Sequence, residues 1–290
     1  MQQPTEASTR QGILLMLLSL LMFTAMDALA KGLVQRYPTP QVVWARFAGQ
    51  LFLVVLILNI RIGPFLRTKH PRLHALRSLT QMGATGFFFA SLTHIGLAEA
   101  TALADINPVL ITLGAALFLG EKLGPRRIAG VVAAMIGALI IIRPGADVFT
   151  PAALLPLACA VCYAASALLT RKVGMTESPW TAMFYGALLG TLVTSAMMPA
   201  VWQPIATADL WLFAIVGCLG TGAQICLIRA FSVAEAGAIA PFGYGGILLA
   251  TLWGVLFYDE WPDALTFLGA FIIVASGTYI WHRETRAKRG

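Results

Sequence analysis

The segment Ala98-Glu99-Ala100-Thr101-Ala102-Leu103-Ala104 returns 136 positions later as Ala234-Glu235-Ala236-Gly237-Ala238-Ile239-Ala240, and each copy opens a long apolar stretch. Other pairs keep nearly the same offset: Thr85 and Gly86 with Thr221 and Gly222, Glu121 and Gly130 with Glu260 and Gly269, Phe23 and Lys31 with Tyr163 and Arg171. The chain is therefore two copies of one unit, expected at residues 1–145 and 146–290, and any fold must be built twice from the same part.

The solvent of that fold is lipid. Hydrophobic residues make up 58% and charged residues only 11%, with a mean hydropathy of +0.79. A span needs about 20 apolar residues, and ten such stretches are present: about 12–34, 39–60, 74–96, 99–119, 125–142, 150–171, 179–200, 209–231, 234–257 and 264–282. Strand-like alternation is absent, and in hydrocarbon only helices or closed barrels satisfy their own backbone. The expected fold is all-α and integral to the membrane, with ten transmembrane helices. Residues 13–30 imitate a signal peptide, yet they have a partner in span 6 under the repeat and are read as a span. Cys159, Cys162, Cys218 and Cys226 fall inside spans; Cys159 and Cys162 share a helix face, but no second such pair and no nearby histidine completes a site, so no metal site and no cofactor is expected.

Basic residues alternate between loops. With both ends of the chain in the cytoplasm, the inner segments hold 16 of the 20 Lys and Arg, leaving Lys31, Arg36, Arg46 and Arg143 for the outer side. That is the positive-inside pattern of an inner (plasma) membrane protein of bacterial type, and it accounts for the +7 net charge without nucleic acid. Five spans per unit is an odd number, so the second unit enters the membrane inverted. Inverted repeats with a site near the midplane recur in secondary transporters. No Gly-x-Ser-x-Gly, His-Glu-x-x-His or P-loop signature supports an enzyme or an ATPase. The remaining rival is a passive channel, and the expected partners are a small-molecule substrate and the lipid bilayer.

The run Asn107-Pro108-Val109, then Leu119-Gly120-Glu121-Lys122-Leu123 and the glycines Gly130 and Gly137, with Tyr258-Asp259-Glu260-Trp261 and Gly269 in the second half, resembles the ten-helix drug/metabolite transporters with tandem EamA repeats. The resemblance covers essentially the whole chain. In the second repeat Tyr244 stands at the place of Pro108, and its proline, Pro241, comes three residues earlier. The resemblance implies export of small metabolites, and the chain looks most like exporters of amino acids, aromatic ones included. Drugs, nucleobases and other small metabolites are the alternative cargo.

Ionisable groups inside spans are functional candidates by default: Asp27 and Lys31 in span 1, Arg46 in span 2 and Asp105 in span 4. The spacing of Asp27 and Lys31 suits a pair on one helix face. Two readings are open, a neutral network tying spans 1, 2 and 4 together, or a proton taken up by Asp27 or Asp105. Candidate cavity residues are Phe88, His94, Asn107, Tyr163, Ser166, Gln224 and Tyr244. Candidate hinges are Pro108, Pro241 and Gly243, where proline and glycine weaken the helix. Gly130, Gly137 and Gly269 read as close-packing positions, and Glu99 and Glu235 as charges favourable to helix N-termini.

Overall fold

A computed structural model describes residues 6–119, 125–143, 150–173, 177–234 and 240–287. Glu121 with its flanking glycine and lysine, and Glu235 with the rest of 235–239, lie outside the described residues, as do the side chains of Arg171 and Pro241. The described helices are α1 (Glu6–Val34), α2 (Thr39–Leu58), α3 (Pro71–Ser91), α4 (Leu97–Ala104), α5 (Asn107–Leu119), α6 (Pro125–Ile142), α7 (Leu154–Val173), α8 (Pro179–Val201), α9 (Leu210–Val233), α10 (Gly245–Tyr258) and α11 (Ala264–Ala287).

These make ten spans, with α4 and α5 forming the fourth. Among the described residues, six stretches, including Arg10–Val34 and Thr207–Val233, are long and apolar enough to cross a bilayer on their own. Ile128–Ile142, Phe242–Tyr258 and Ala264–Tyr279 are shorter apolar helices. Span 3 is α3, whose first turns carry Arg72, His74 and Arg77 before the apolar run begins. Proline starts several helices, as at Pro71 and Pro179, where its missing N–H would have had no partner anyway. Ser178 completes the α8 start by accepting from the Trp180 amide at 3.3 Å.

The helices pack across the repeat rather than within it. The broadest contacts join α1 to α9, α3 to α7, α6 to α11 and α2 to α8. Exchanging span 1 with 6, 2 with 7, 3 with 8 and 5 with 10 maps this set onto itself. Span 4 likewise meets span 9 through α4 and α10. Two inverted five-helix halves are thus interlocked about a pseudo-two-fold axis, and the residues at that axis belong to both. Small residues allow the closest approaches: a Cβ at Gly269 of α11 would lie 2.6 Å from the Gly137 carbonyl oxygen of α6. Both described ends of the chain, in α1 and α11, lie on one side, called here the terminal face; the other is the far face.

Candidate functional site

Span 4 is where the bundle core loses its regular backbone. Pro108 has no amide hydrogen, so the Ala104 carbonyl four residues earlier loses the donor that a continuous helix would supply. Asn107 replaces it, its Nδ2 donating to the Ala104 oxygen at 3.2 Å. The chain ends α4 at Ala104, turns through Asp105 and Ile106, and restarts with Asn107-Pro108 as the first turn of α5. Span 9 is irregular at the matching depth, where the 3-10 turn Ala240–Tyr244 carries Pro241 and Gly243 ahead of α10. Within the stretches read as spans at 99–119 and 234–257, the break of span 4 and the 3-10 helix over 240–244 of span 9 fall where proline and glycine weaken the helix.

Two cavities meet at the break. One, of 240 Å³, is bordered by Asp27, Arg46, Phe88 and Gln224. The other, of 380 Å³, is bordered by Pro108, Gly243 and Tyr244 and lies towards the terminal face. Phe23, Asp105, Asn107 and Tyr163 line both. Gln224 also borders a 150 Å³ pocket beside Arg77 and Glu177, again on the terminal side. Towards the far face, Ala30, Lys31, Leu33, Leu97 and Ala100 are all buried. These residues screen the two central cavities from the far side, where a separate pocket of 390 Å³ is bordered by Glu99, Arg143, Glu260 and Asp263 of the two repeats.

Of the three consecutive phenylalanines, Phe87 points outward at 39% exposure, while Phe88 and Phe89 are buried against the cavity, as helical geometry requires of neighbours 100° apart. Ser166 sits behind the wall rather than on it, buried and donating to Gln81 Oε1 at 3.2 Å. Tyr244 is set against Gly277, where any side chain would strike its hydroxyl. His94 does not join the cavity: it lies exposed in the turn after α3, because α3 ends at Ser91 instead of continuing to residue 96.

The four intramembrane charges divide. Asp27, Arg46 and Asp105 share the 240 Å³ cavity. Asp27 attracts Arg46 electrostatically, yet no ion pair joins them. Arg46 Nε and Nη1 and Asp105 Oδ2 are buried without a hydrogen-bond partner. Lys31 belongs elsewhere: it pairs with Glu260 at 2.5 Å and donates to the Ile95 carbonyl at 2.8 Å. The expected Asp27–Lys31 pair is thus corrected, because Lys31 lies one turn nearer the far face, where a carboxylate from the end of span 9 reaches it.

A polar cluster at the terminal face carries no spacing signal in the sequence. Glu177 accepts from Thr68 Oγ1 at 2.7 Å and the Lys69 amide at 2.8 Å, and lies 2.6 Å from His74 Nε2. Burial pushes the Glu177 carboxyl up, but the hydrogen bonds from Thr68, His74 and Lys69 outweigh it and hold it at about 2. On the far face Asp263 grips Arg143 at 2.5 and 2.6 Å, and that contact, with the Thr266 amide, holds its carboxyl at about 2.

Residues 10–143 and 150–281 each match one EamA domain, described as the EamA-like transporter family. The chain belongs to the EamA-like transporter family. It is 32% identical to a riboflavin transporter of Rhizobium johnstonii, over 96% of this chain and 93% of that one. It is 31% identical to a pseudopaline exporter of Pseudomonas aeruginosa, over 92% and 94%, and 27% identical to an S-adenosylmethionine uptake transporter of Rickettsia conorii, over 95% and 94%. A solved crystal structure shares the fold with a TM-score of 0.60 at 22% identity, covering 92% of this chain and 95% of its own. This EamA protein is accordingly an integral membrane secondary transporter of small metabolites, not an enzyme.

Proposed function

We propose that this transporter exports amino acids, aromatic ones included, by alternating access of the cavity between its two repeats, 1–145 and 146–290, with both termini cytoplasmic. The observation behind the reading is the cavity wall, where phenyl and phenol rings of Phe88 and Tyr163 share a small space with the amides of Asn107 and Gln224 and with charged groups. Such a wall suits a compact ligand with an apolar body and a polar head. A relative that is an exporter, of pseudopaline, agrees with the direction. Proteoliposomes loaded with labelled L-phenylalanine are expected to show saturable efflux that unlabelled amino acids accelerate by exchange. Efflux that fails to saturate would indicate a channel, and no flux for any amino acid would overturn the assignment.

A second reading, transport of a flat heterocycle, is favoured by two relatives named riboflavin transporters. Riboflavin in the same liposomes separates the two, since it competes with phenylalanine only if the heterocycle occupies the same space.

A further inference from the structure

We infer that the cavity takes a zwitterion, a ligand bearing one carboxylate and one ammonium on a small scaffold, with the carboxylate on Arg46 and the ammonium on Asp105. The inference rests on the reading that this cavity is the transport site and adds the charge pattern of its cargo.

Arg46 is 6% exposed, and its Nε and Nη1 donate to nothing. A guanidinium keeps its charge and presents a rigid fork of donors, so leaving it unpaired inside a bilayer is costly. Its neighbours relieve this only in part. The guanidinium carbon lies 5.0 Å from the Phe47 ring centroid, a weak attraction. Asp27 acts on it through space without a hydrogen bond. Neither offers two parallel acceptors, which are what a carboxylate supplies to the fork.

The opposite polarity waits in the same cavity. Asp105 stands at the break of span 4, with Oδ2 buried and no donor on it. The break is the cause: Asp105 ends the backbone ladder by donating its amide to the Thr101 carbonyl at 2.9 Å, while its side chain is left facing the cavity. An ammonium brings three donors to such an acceptor. A simple cation would leave Arg46 bare and be repelled by it. A simple anion would satisfy Arg46 and meet the unpaired Asp105. Only a ligand with both groups answers both vacancies.

The test measures displacement of labelled L-phenylalanine from the purified full-length transporter by three analogues that share its ring: phenethylamine without the carboxylate, 3-phenylpropionate without the ammonium, and unlabelled phenylalanine. β-Alanine and γ-aminobutyrate extend the panel to carboxylate–ammonium zwitterions outside the α-amino acids, scored by thermal shift. Phenylalanine is expected to displace at least tenfold better than either single-charge analogue. In Arg46→Gln the advantage over phenethylamine is expected to vanish while that over phenylpropionate persists, and in Asp105→Asn the reverse.

If phenylpropionate or phenethylamine displaces as well as phenylalanine in the unmodified protein, the inference is overturned even when neither variant folds. Amino-acid binding whose analogue ratios ignore both substitutions also overturns it, but leaves amino-acid export standing. Binding of β-alanine or γ-aminobutyrate without any α-amino acid overturns export of α-amino acids and supports the zwitterion site. Binding of no zwitterion at all overturns both.

Discussion

Lys31 Nζ lies 2.5 Å from Glu260 Oε1, and Glu260 Oε2 accepts from the Leu97 amide at 3.0 Å. One carboxylate thereby neutralises a buried lysine of span 1 and caps the open N-terminus of α4, while its own backbone closes span 9. Tyr258 adds a hydrogen bond to the Ala28 carbonyl at 2.5 Å. Three elements of the two repeats are tied together at the far face, above the cavity.

Removing Glu260 leaves Lys31 buried and unpaired, which costs about 3 kcal/mol or more. Glu260→Gln is expected to lower the melting temperature in detergent and to loosen the far face. Thr101→Cys, placed in a background without the four native cysteines, reports this by reacting faster with an impermeant maleimide supplied from the far side. Adding Lys31→Met to Glu260→Gln is expected to recover most of the melting loss. Unchanged melting and labelling in Glu260→Gln would contradict the tie.

Glu177 gives the terminal face an acid limit. Its folded carboxyl sits at about 2 against an ordinary value near 4.5, so it contributes stability that is present above the ordinary value and lost as pH falls from about 4.5 to 2. Melting curves over that window are expected to be flatter for Glu177→Gln than for the unmodified chain. The variant itself is expected to lose about 1–3 kcal/mol at neutral pH, because Thr68 and the Lys69 amide lose a charged acceptor.

Gly269→Leu is expected to separate α6 from α11. The first atom it adds would already lie 2.5 Å from Ile141 Cγ1 as well as against the Gly137 backbone. Overpacking of this kind typically costs about 1–3 kcal/mol, and crowding against backbone places it at the upper end. Gly269→Ala tests the same contact at smaller size, and thermal melting is expected to fall in the order Gly, Ala, Leu.

Pro108→Ala returns an N–H to the Ala104 carbonyl and invites span 4 to close into one helix. Stability is expected to rise by about 1 kcal/mol. Transport is expected to slow by about tenfold, equivalent to ~1.4 kcal/mol on the cycle, because Asp105 would be drawn back into the ladder. Equal flux in both proteins would show that the break serves packing alone.

The ten spans and the inverted duplication were legible because they are written in composition and offset, which need no knowledge of neighbours. The break at Asp105 was half legible: Asn107-Pro108 marked a weak point, yet the apolar run continues through it and hydropathy alone draws a single helix. Charge partners were the least legible. Spacing within span 1 put Asp27 and Lys31 on one face, but burial in a ten-helix bundle is decided by what other spans present at the same depth. At Lys31 that is Glu260, and at His74 it is Glu177, each from the opposite repeat. His94 was misplaced by three residues of helix length, enough to move it from a span into a turn.

The interlocked packing bears on how the protein is made. Span 1 finds its chief neighbour in span 8, and Tyr258 bonds to Ala28 across 230 positions of chain. During synthesis the first half must therefore wait in the bilayer with Lys31 unmatched until the second half is threaded in beside it. The ribosome delivers the carboxylate that shelters Lys31 close to the end of its work, so a nascent chain truncated before span 9 is exposed to membrane quality control as a half-built, charged intermediate.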